Sequence, residues 1–207
     1  MFLGNYLYRV PALLLAVTLH ELAHGWVAYR LGDDTAKSHG RLTLNPLAHI
    51  DPIGLLALFL VGFGWAKPVP VNPMYFKGDR HRGMFLVGLA GPVTNFILAF
   101  ITLFILGAFP SIGAVPHLPD ILVITFRYNV LLGVFNLLPF PPLDGSKVLA
   151  YFLPRSFLQT FHQIEQYGPV ILIVLIFSGV LWRILSPLIN AASNIIFVAV
   201  SLLLNLL

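Results

Sequence analysis

Apolar segments long enough to cross a lipid bilayer dominate this chain and restrict the folds open to it. Crossing about 30 Å of hydrocarbon takes about 20 helical residues. Only 10% of the 207 residues are charged and 58% are hydrophobic, whereas a soluble domain carries about 25% charged residues. The sequence therefore predicts an all-α polytopic membrane protein and excludes a water-soluble domain. The candidate spans are residues 6–29, 84–109, 118–138, 168–182 and 188–207.

The first of these segments, residues 6–29, lies where a secretory signal peptide would lie. It has Arg9 near its head, but it is too long for a signal peptide and no small-residue cleavage site follows it. It also contains three ionisable residues of a recognisable motif, described below. We expect it to be kept as the first membrane span.

The short apolar segment 53–63 decides the topology. If it enters the membrane and returns, nine basic residues lie on one face and three on the other, which satisfies the positive-inside rule with five spans. The N-terminus is then outside and the C-terminus is cytoplasmic. The alternative is six spans, with 53–63 crossing fully. The basic residues behind the net charge of +4 are interpreted as orientation signals in a multi-pass cell-membrane protein, and no nucleic-acid partner is expected.

Two short segments beside 53–63 are predicted to be extended. Residues 64–73 read GWAKPVPVNP, and their prolines lack the N–H donor that a helix needs. Residues 41–45 read RLTLN and alternate with a period of two, as strands do. Together they predict a small β-hairpin at the cytoplasmic rim.

Residues 20–24 read HELAH, an H-E-x-x-H motif inside the first predicted span. Positions four apart share one face of a helix, so His20 and His24 can both reach one zinc ion at about 2.0–2.1 Å. Glu21 lies about 100° around the helix, which suits a general base acting on a water molecule at the metal. The alternative is that these side chains only pack between helices. A bound cation accounts better for the cost of three ionisable residues in a span.

The chain contains no cysteine, so the third metal ligand must be His, Asp or Glu. An acidic residue is expected, because the other five histidines are interpreted as surface or loop residues. Asp144 closes the segment NLLPFPPLDG, residues 136–145, which follows an apolar span. Its prolines break the helix at membrane depth, and such unwound backbone is tolerated only where it is buried or lines a cavity. Asp144 is therefore the candidate ligand, although an ordinary Asp-Gly turn is the alternative.

HELAH, GPVTN at residues 91–95 and NLLPFPPLDG together resemble the site-2 protease family of intramembrane zinc metalloproteases. The resemblance covers about residues 15–150. It implies that His20, His24 and Asp144 ligate Zn²⁺ below the membrane surface on the cytoplasmic side, and that Glu21 is the base. It also implies a short form without PDZ or CBS domains. We expect one domain over residues 1–207, with a catalytic core at about 5–150 and flanking C-terminal helices at about 168–207.

Two asparagines are candidates for the donor that stabilises the oxyanion formed during peptide hydrolysis. Asn136 is the first choice, because the family motif keeps an amide eight residues before the aspartate, and Asn95 is the second. Either amide could instead make a helix–helix hydrogen bond.

The predicted function is therefore intramembrane zinc endopeptidase, with the lipid bilayer as its environment and transmembrane proteins or peptides as substrates. A substrate helix must unwind before cleavage, and the predicted hairpin could offer its edge for strand addition. A metal-ion transporter or metal-binding scaffold is the alternative, and an inactive homologue acting as a chaperone is a third. The sequence leaves the oligomeric state and substrate identity open.

Overall fold

The computed structural model describes residues 2–61 and 64–206 and is helical over most of that length. Three short 3-10 turns lie between the helices, at Pro46–His49, Pro73–Tyr75 and Pro110–Ala114. The α-helices are α1 (Phe2–Arg30), α2 (Thr35–Ser38), α3 (Pro52–Val61), α4 (Arg80–Ala108), α5 (Leu118–Asn136), α6 (Asp144–Phe152), α7 (Arg155–Glu165), α8 (Gly168–Phe177) and α9 (Val180–Leu204).

Four of the helices are long and apolar enough to cross a membrane: α1 from Tyr8 onward, α4, α5 and α9. A fifth crossing is counted within the described residues if Ser156–Glu165 and Gly168–Phe177, which meet at a bend of 60°, form one broken span. The prediction of a multi-pass helical protein is confirmed. The four or five candidate spans only roughly match the five or six that were predicted.

The last two predicted spans have different boundaries in the structure. We expected 168–182 and 188–207, but the chain breaks at Gly179, which has a left-handed φ of +72°. That backbone conformation is easily reached by glycine and ends α8 after ten residues, or about 15 Å. Pro187, in the expected gap, lies inside the 25-residue helix α9.

The predicted β-hairpin is not found among the described residues. RLTLN forms bends rather than a strand, and pairing is limited to one antiparallel bridge between Ile50 and Ala66. Pro68 and Pro70 have no N–H to extend a ladder beyond that bridge. Helix α3 is ten residues long, about half of a bilayer's hydrocarbon thickness. The predicted segment 53–63 also includes Gly62 and Phe63, which lie outside the described residues.

Helices α1, α4 and α5 pack against one another and form the bundle that holds the site. Helix α6 packs on α4, and α9 packs along α4 and α5. A continuous apolar core joins α4, α5 and α9 through residues such as Ala99, Val130 and Val200. Large apolar side chains on the outer surface of α9, including Phe197 and Leu202, are exposed and suit contact with lipid.

Candidate metal centre

His20, His24 and Asp144 meet inside this bundle, although 120 residues of chain separate His24 from Asp144. All three side chains are buried. Oδ2 of Asp144 lies 3.1 Å from Nε2 of His20 and 3.0 Å from Nε2 of His24, and the two Nε2 atoms are 3.0 Å apart. The three atoms thus form a nearly equilateral triangle, which we call the ligand triangle.

The ligand triangle fits a small divalent cation. Ligand atoms around a tetrahedral zinc ion at about 2.0–2.1 Å lie about 3.3–3.4 Å from one another. Each edge of the triangle would need to open by about 0.3 Å to reach that geometry. Two imidazole nitrogens and a carboxylate oxygen are also the donors that catalytic zinc commonly uses, with a fourth position left for water.

The remaining ring nitrogen of each histidine has a fixed acceptor. Nδ1 of His20 donates to Oδ1 of Asn95, and Nδ1 of His24 donates to the carbonyl of Val87, both at 2.6 Å. A proton held at Nδ1 leaves the lone pair of Nε2 free to bind a metal. Both rings therefore present the required tautomer to the centre of the triangle.

Two further contacts hold Asp144 in place. Lys147 donates from Nζ to the second carboxylate oxygen, Oδ1, at 2.8 Å. Gly145 lets the start of α6 approach the end of α5, since a Cβ there would collide with the carbonyls of Leu137 and Leu138.

Gly91 keeps the space in front of the histidines open. A Cβ at this position would come within 3 Å of the Nε2 atoms of both His20 and His24. Helix α4 therefore needs glycine where it faces the ligand triangle, and any side chain there would fill the space that an ion would occupy.

Glu21 is half-buried, and it contacts the backbone of segment 66–77, which we call the strap. The strap has no helix as far as Asn72 and then contains the 3-10 turn Pro73–Tyr75. The N–H of Val69 donates to Oε2 of Glu21 at 2.9 Å. The strap lies directly against α1, so close that a Cβ at Gly25 would meet the side chain of Val69.

Other residues fasten the strap on both sides of Val69. Arg41 donates to the carbonyl of Lys67 at 2.6 Å, and the N–H of Asn72 donates to the buried carboxylate of Asp33 at 2.6 Å. The backbone N–H of Lys67 donates to the carbonyl of His49, and that of Lys77 donates to the carbonyl of Leu31. The strap is thus held across α1 beside the ligand triangle.

The two predicted oxyanion donors have different surroundings. Asn95 is fully buried, and its Nδ2 donates to the carbonyl of Ala16 at 3.2 Å and to Oδ1 of Asn129 at 2.8 Å. Both of its amide hydrogens are therefore engaged. Asn136 is half-buried and donates to the carbonyl of Leu132, one turn earlier on α5. The oxyanion role of either residue stays a prediction, and the contacts of Asn95 favour a role in orienting His20.

Three residues that contact this site or its partners were given no role in it from the sequence. Asn129 could have been found as an amide inside an apolar span, by the argument that singled out the histidines. Lys147 lies one helical turn after Asp144, where side chains meet. Gly91 belongs to the GPVTN segment, but the sequence does not show that it faces the histidines.

Comparison with known proteins gives consistent matches. The family model described as "Peptidase family M50" matches residues 8–117 and 113–178. "Putative zinc metalloprotease YwhC" of Bacillus subtilis is 42% identical over 193 residues, which cover 90% of this chain and 88% of the relative. "Putative zinc metalloprotease Rip2" of Mycolicibacterium smegmatis is 30% identical over 187 residues, covering 88% of this chain and 71% of the relative. No solved structure gives a significant match.

Proposed function

The chain belongs to peptidase family M50, and on that basis we propose that it is an intramembrane zinc endopeptidase that cleaves membrane proteins in or near their transmembrane segments. The ligand triangle of His20, His24 and Asp144 is the observation that carries this proposal. It joins two imidazoles from a candidate membrane span to a carboxylate brought from a distant part of the chain. The matches are to metalloproteases, so the alternative of a metal transporter is not favoured.

The site is proposed to lie toward the cytoplasmic side of the membrane. His24 is six residues from Arg30 at the end of α1, which corresponds to about 9 Å along the helix axis. The neighbouring start of α4 carries Arg80 and Arg82. By the positive-inside rule, basic residues at these helix ends support a cytoplasmic placement of the site.

In the proposed reaction, Glu21 is the general base. A zinc ion held by the ligand triangle would supply a Lewis acid that lowers the pKa of water toward 7. Oε2 of Glu21 accepts the Val69 N–H, which leaves Oε1 to take a proton from the attacking water. Glu21 then returns this proton to the nitrogen of the leaving amine. Asn136 remains our candidate for the oxyanion donor.

We propose that the substrate binds to the strap by strand addition in which the substrate alone donates the hydrogen bonds. Successive residues of an extended segment direct their backbone N–H and C=O groups to opposite edges. The backbone groups of Lys67 and Val69 make hydrogen bonds to other parts of the protein. Pro68 and Pro70 are then directed to the opposite edge, where they offer carbonyl oxygens without N–H donors. A substrate segment would therefore bind this edge by donating its own N–H groups.

The experiment that tests the function compares variants of the purified protein in nanodiscs, with a transmembrane peptide as the substrate. Glu21→Gln should abolish cleavage and keep the metal content of the wild type, because only the base is lost. Asp144→Asn should lower the metal content as well. A Glu21→Gln variant that still cleaves the peptide at the wild-type rate would contradict the proposal.

A further inference from the structure

Asn129 on α5 makes no contact with the ligand triangle, yet it belongs to a hydrogen-bonded chain that ends there. Its side chain is fully buried, as is that of its partner Asn95 on α4. Nδ2 of Asn129 donates to the carbonyl of Thr125 at 2.9 Å, and Oδ1 accepts from Nδ2 of Asn95 at 2.8 Å. Oδ1 of Asn95 in turn accepts from Nδ1 of His20.

The chain has a fixed direction because one end is a backbone carbonyl, which can only accept. The Thr125 carbonyl requires Nδ2 of Asn129 to face it, so Oδ1 of Asn129 faces Asn95. That oxygen requires Nδ2 of Asn95, so Oδ1 of Asn95 faces His20. The Ala16 carbonyl acts on Asn95 in the same sense over a longer distance of 3.2 Å.

From this geometry we infer that Asn129 is a positioning residue for the metal centre, which acts through Asn95 to hold the proton of His20 on Nδ1. The lone pair of Nε2 is then directed at the metal before the metal arrives. This inference rests on the proposed function, because it assigns Asn129 a role in the same site. It adds a contribution from α5, which is absent from the ligand triangle.

The alternative role of Asn129 is purely structural, as a polar link between α4 and α5. A control for the loss of a buried polar group lies on the same helix as Asn95. Thr102 is buried on α4, two turns from Asn95, and its hydroxyl bonds only to carbonyls of its own helix, those of Leu98 and Ala99. Thr102→Val removes a buried polar group without touching the hydrogen-bonded chain.

The test measures Co²⁺ affinity and the visible spectrum of bound Co²⁺ in nanodiscs, for Asn129→Leu, Asn95→Leu, the double variant and Thr102→Val. Loss of partners that orient metal-binding histidines weakens affinity by about 10- to 100-fold. We expect Asn129→Leu to bind about tenfold more weakly, with an altered spectrum, and Thr102→Val to match the wild type. The double variant should be no weaker than Asn95→Leu alone, because both residues act through one chain.

A second variant covers the case in which Asn129→Leu does not fold. Threonine at position 129 can bond to the carbonyl one turn earlier, as Thr125 does with Ile121, but it is too short to replace the amide toward Asn95. Asn129→Thr should therefore fold and still bind Co²⁺ more weakly. Wild-type affinity in Asn129→Thr, or additive losses in the double variant, would overturn the role of Asn129 and leave the proposed function standing. A wild-type protein that binds neither Co²⁺ nor Zn²⁺ would overturn both.

Discussion

Lys147 and Asp144 form an ion pair of 2.8 Å that uses the carboxylate oxygen opposite to the one facing the histidines. The two residues are three positions apart at the start of α6, so the helix itself brings them together. With Oδ1 occupied by the ammonium group, Oδ2 is the oxygen presented to a metal. Lys147 thereby orients Asp144, the proposed ligand, and balances part of its charge.

Replacing Lys147 by Met should therefore weaken metal binding. The change removes the donor to Oδ1 but keeps most of the aliphatic side chain, and we expect about a tenfold loss of Zn²⁺ affinity. Titration with a competing chelator measures this loss. Lys37→Met is the control, because Lys37 is exposed and bonds to Tyr29 instead. Equal affinities in the two variants would show that the ion pair does not support the site.

A methyl group at Gly91 should exclude the metal. In Gly91→Ala the new Cβ would lie within 3 Å of both Nε2 atoms of the ligand triangle, and the backbone of α4 cannot easily withdraw. Metal content measured on the purified variant should fall close to zero. Gly107→Ala on the same helix is the control, since its Cβ would meet only the tip of Leu204. Full metal occupancy in Gly91→Ala would mean that the ion binds elsewhere.

Removing the N–H of Val69 should slow catalysis without releasing the metal. Val69→Pro deletes the donor to Glu21 in a segment where proline already occupies positions 68 and 70. A hydrogen bond to a charged group contributes about 1.5–3 kcal/mol, so we expect kcat to fall about 10- to 100-fold. Val71→Pro, two residues along the strap, is the matched control. If the two variants cleave a peptide substrate at the same rate, the Val69 N–H does not position the base.

Loss of the Asp33 carboxylate should loosen the strap. Asp33 is fully buried and accepts hydrogen bonds from the N–H groups of Asn72 and Thr35. Asp33→Ala leaves these donors without their acceptor, at a cost of about 1–3 kcal/mol in the free energy of unfolding. Limited proteolysis of residues 66–77 should become faster. Asp34→Ala, at the exposed neighbouring position, should change neither proteolysis nor stability.

Much of the membrane architecture follows from the order of apolar residues. The predicted spans 84–109 and 118–138 match α4 and α5 to within four residues at each end. They match because the length of a span depends on local composition. The break between α8 and α9 was misplaced, since Gly179 lies within a continuous apolar stretch. Residues 64–73 were expected to be extended. They contain no helix as far as Asn72, but Pro73 begins a 3-10 turn, and the segment contacts mainly α1 and the loops that follow it rather than a second strand.

The sequence by itself determined that His20 and His24 share one face with Glu21 beside it, because the helical repeat is a local property of the chain. Tertiary structure alone decided which groups from other parts of the chain contact these three side chains or their partners. Asp144 comes from 120 positions beyond His24, the buried amides of Asn95 and Asn129 bond to each other between α4 and α5, and Val69 approaches Glu21 from the strap. A buried polar group must find a partner, but which partner it finds depends on how the helices pack.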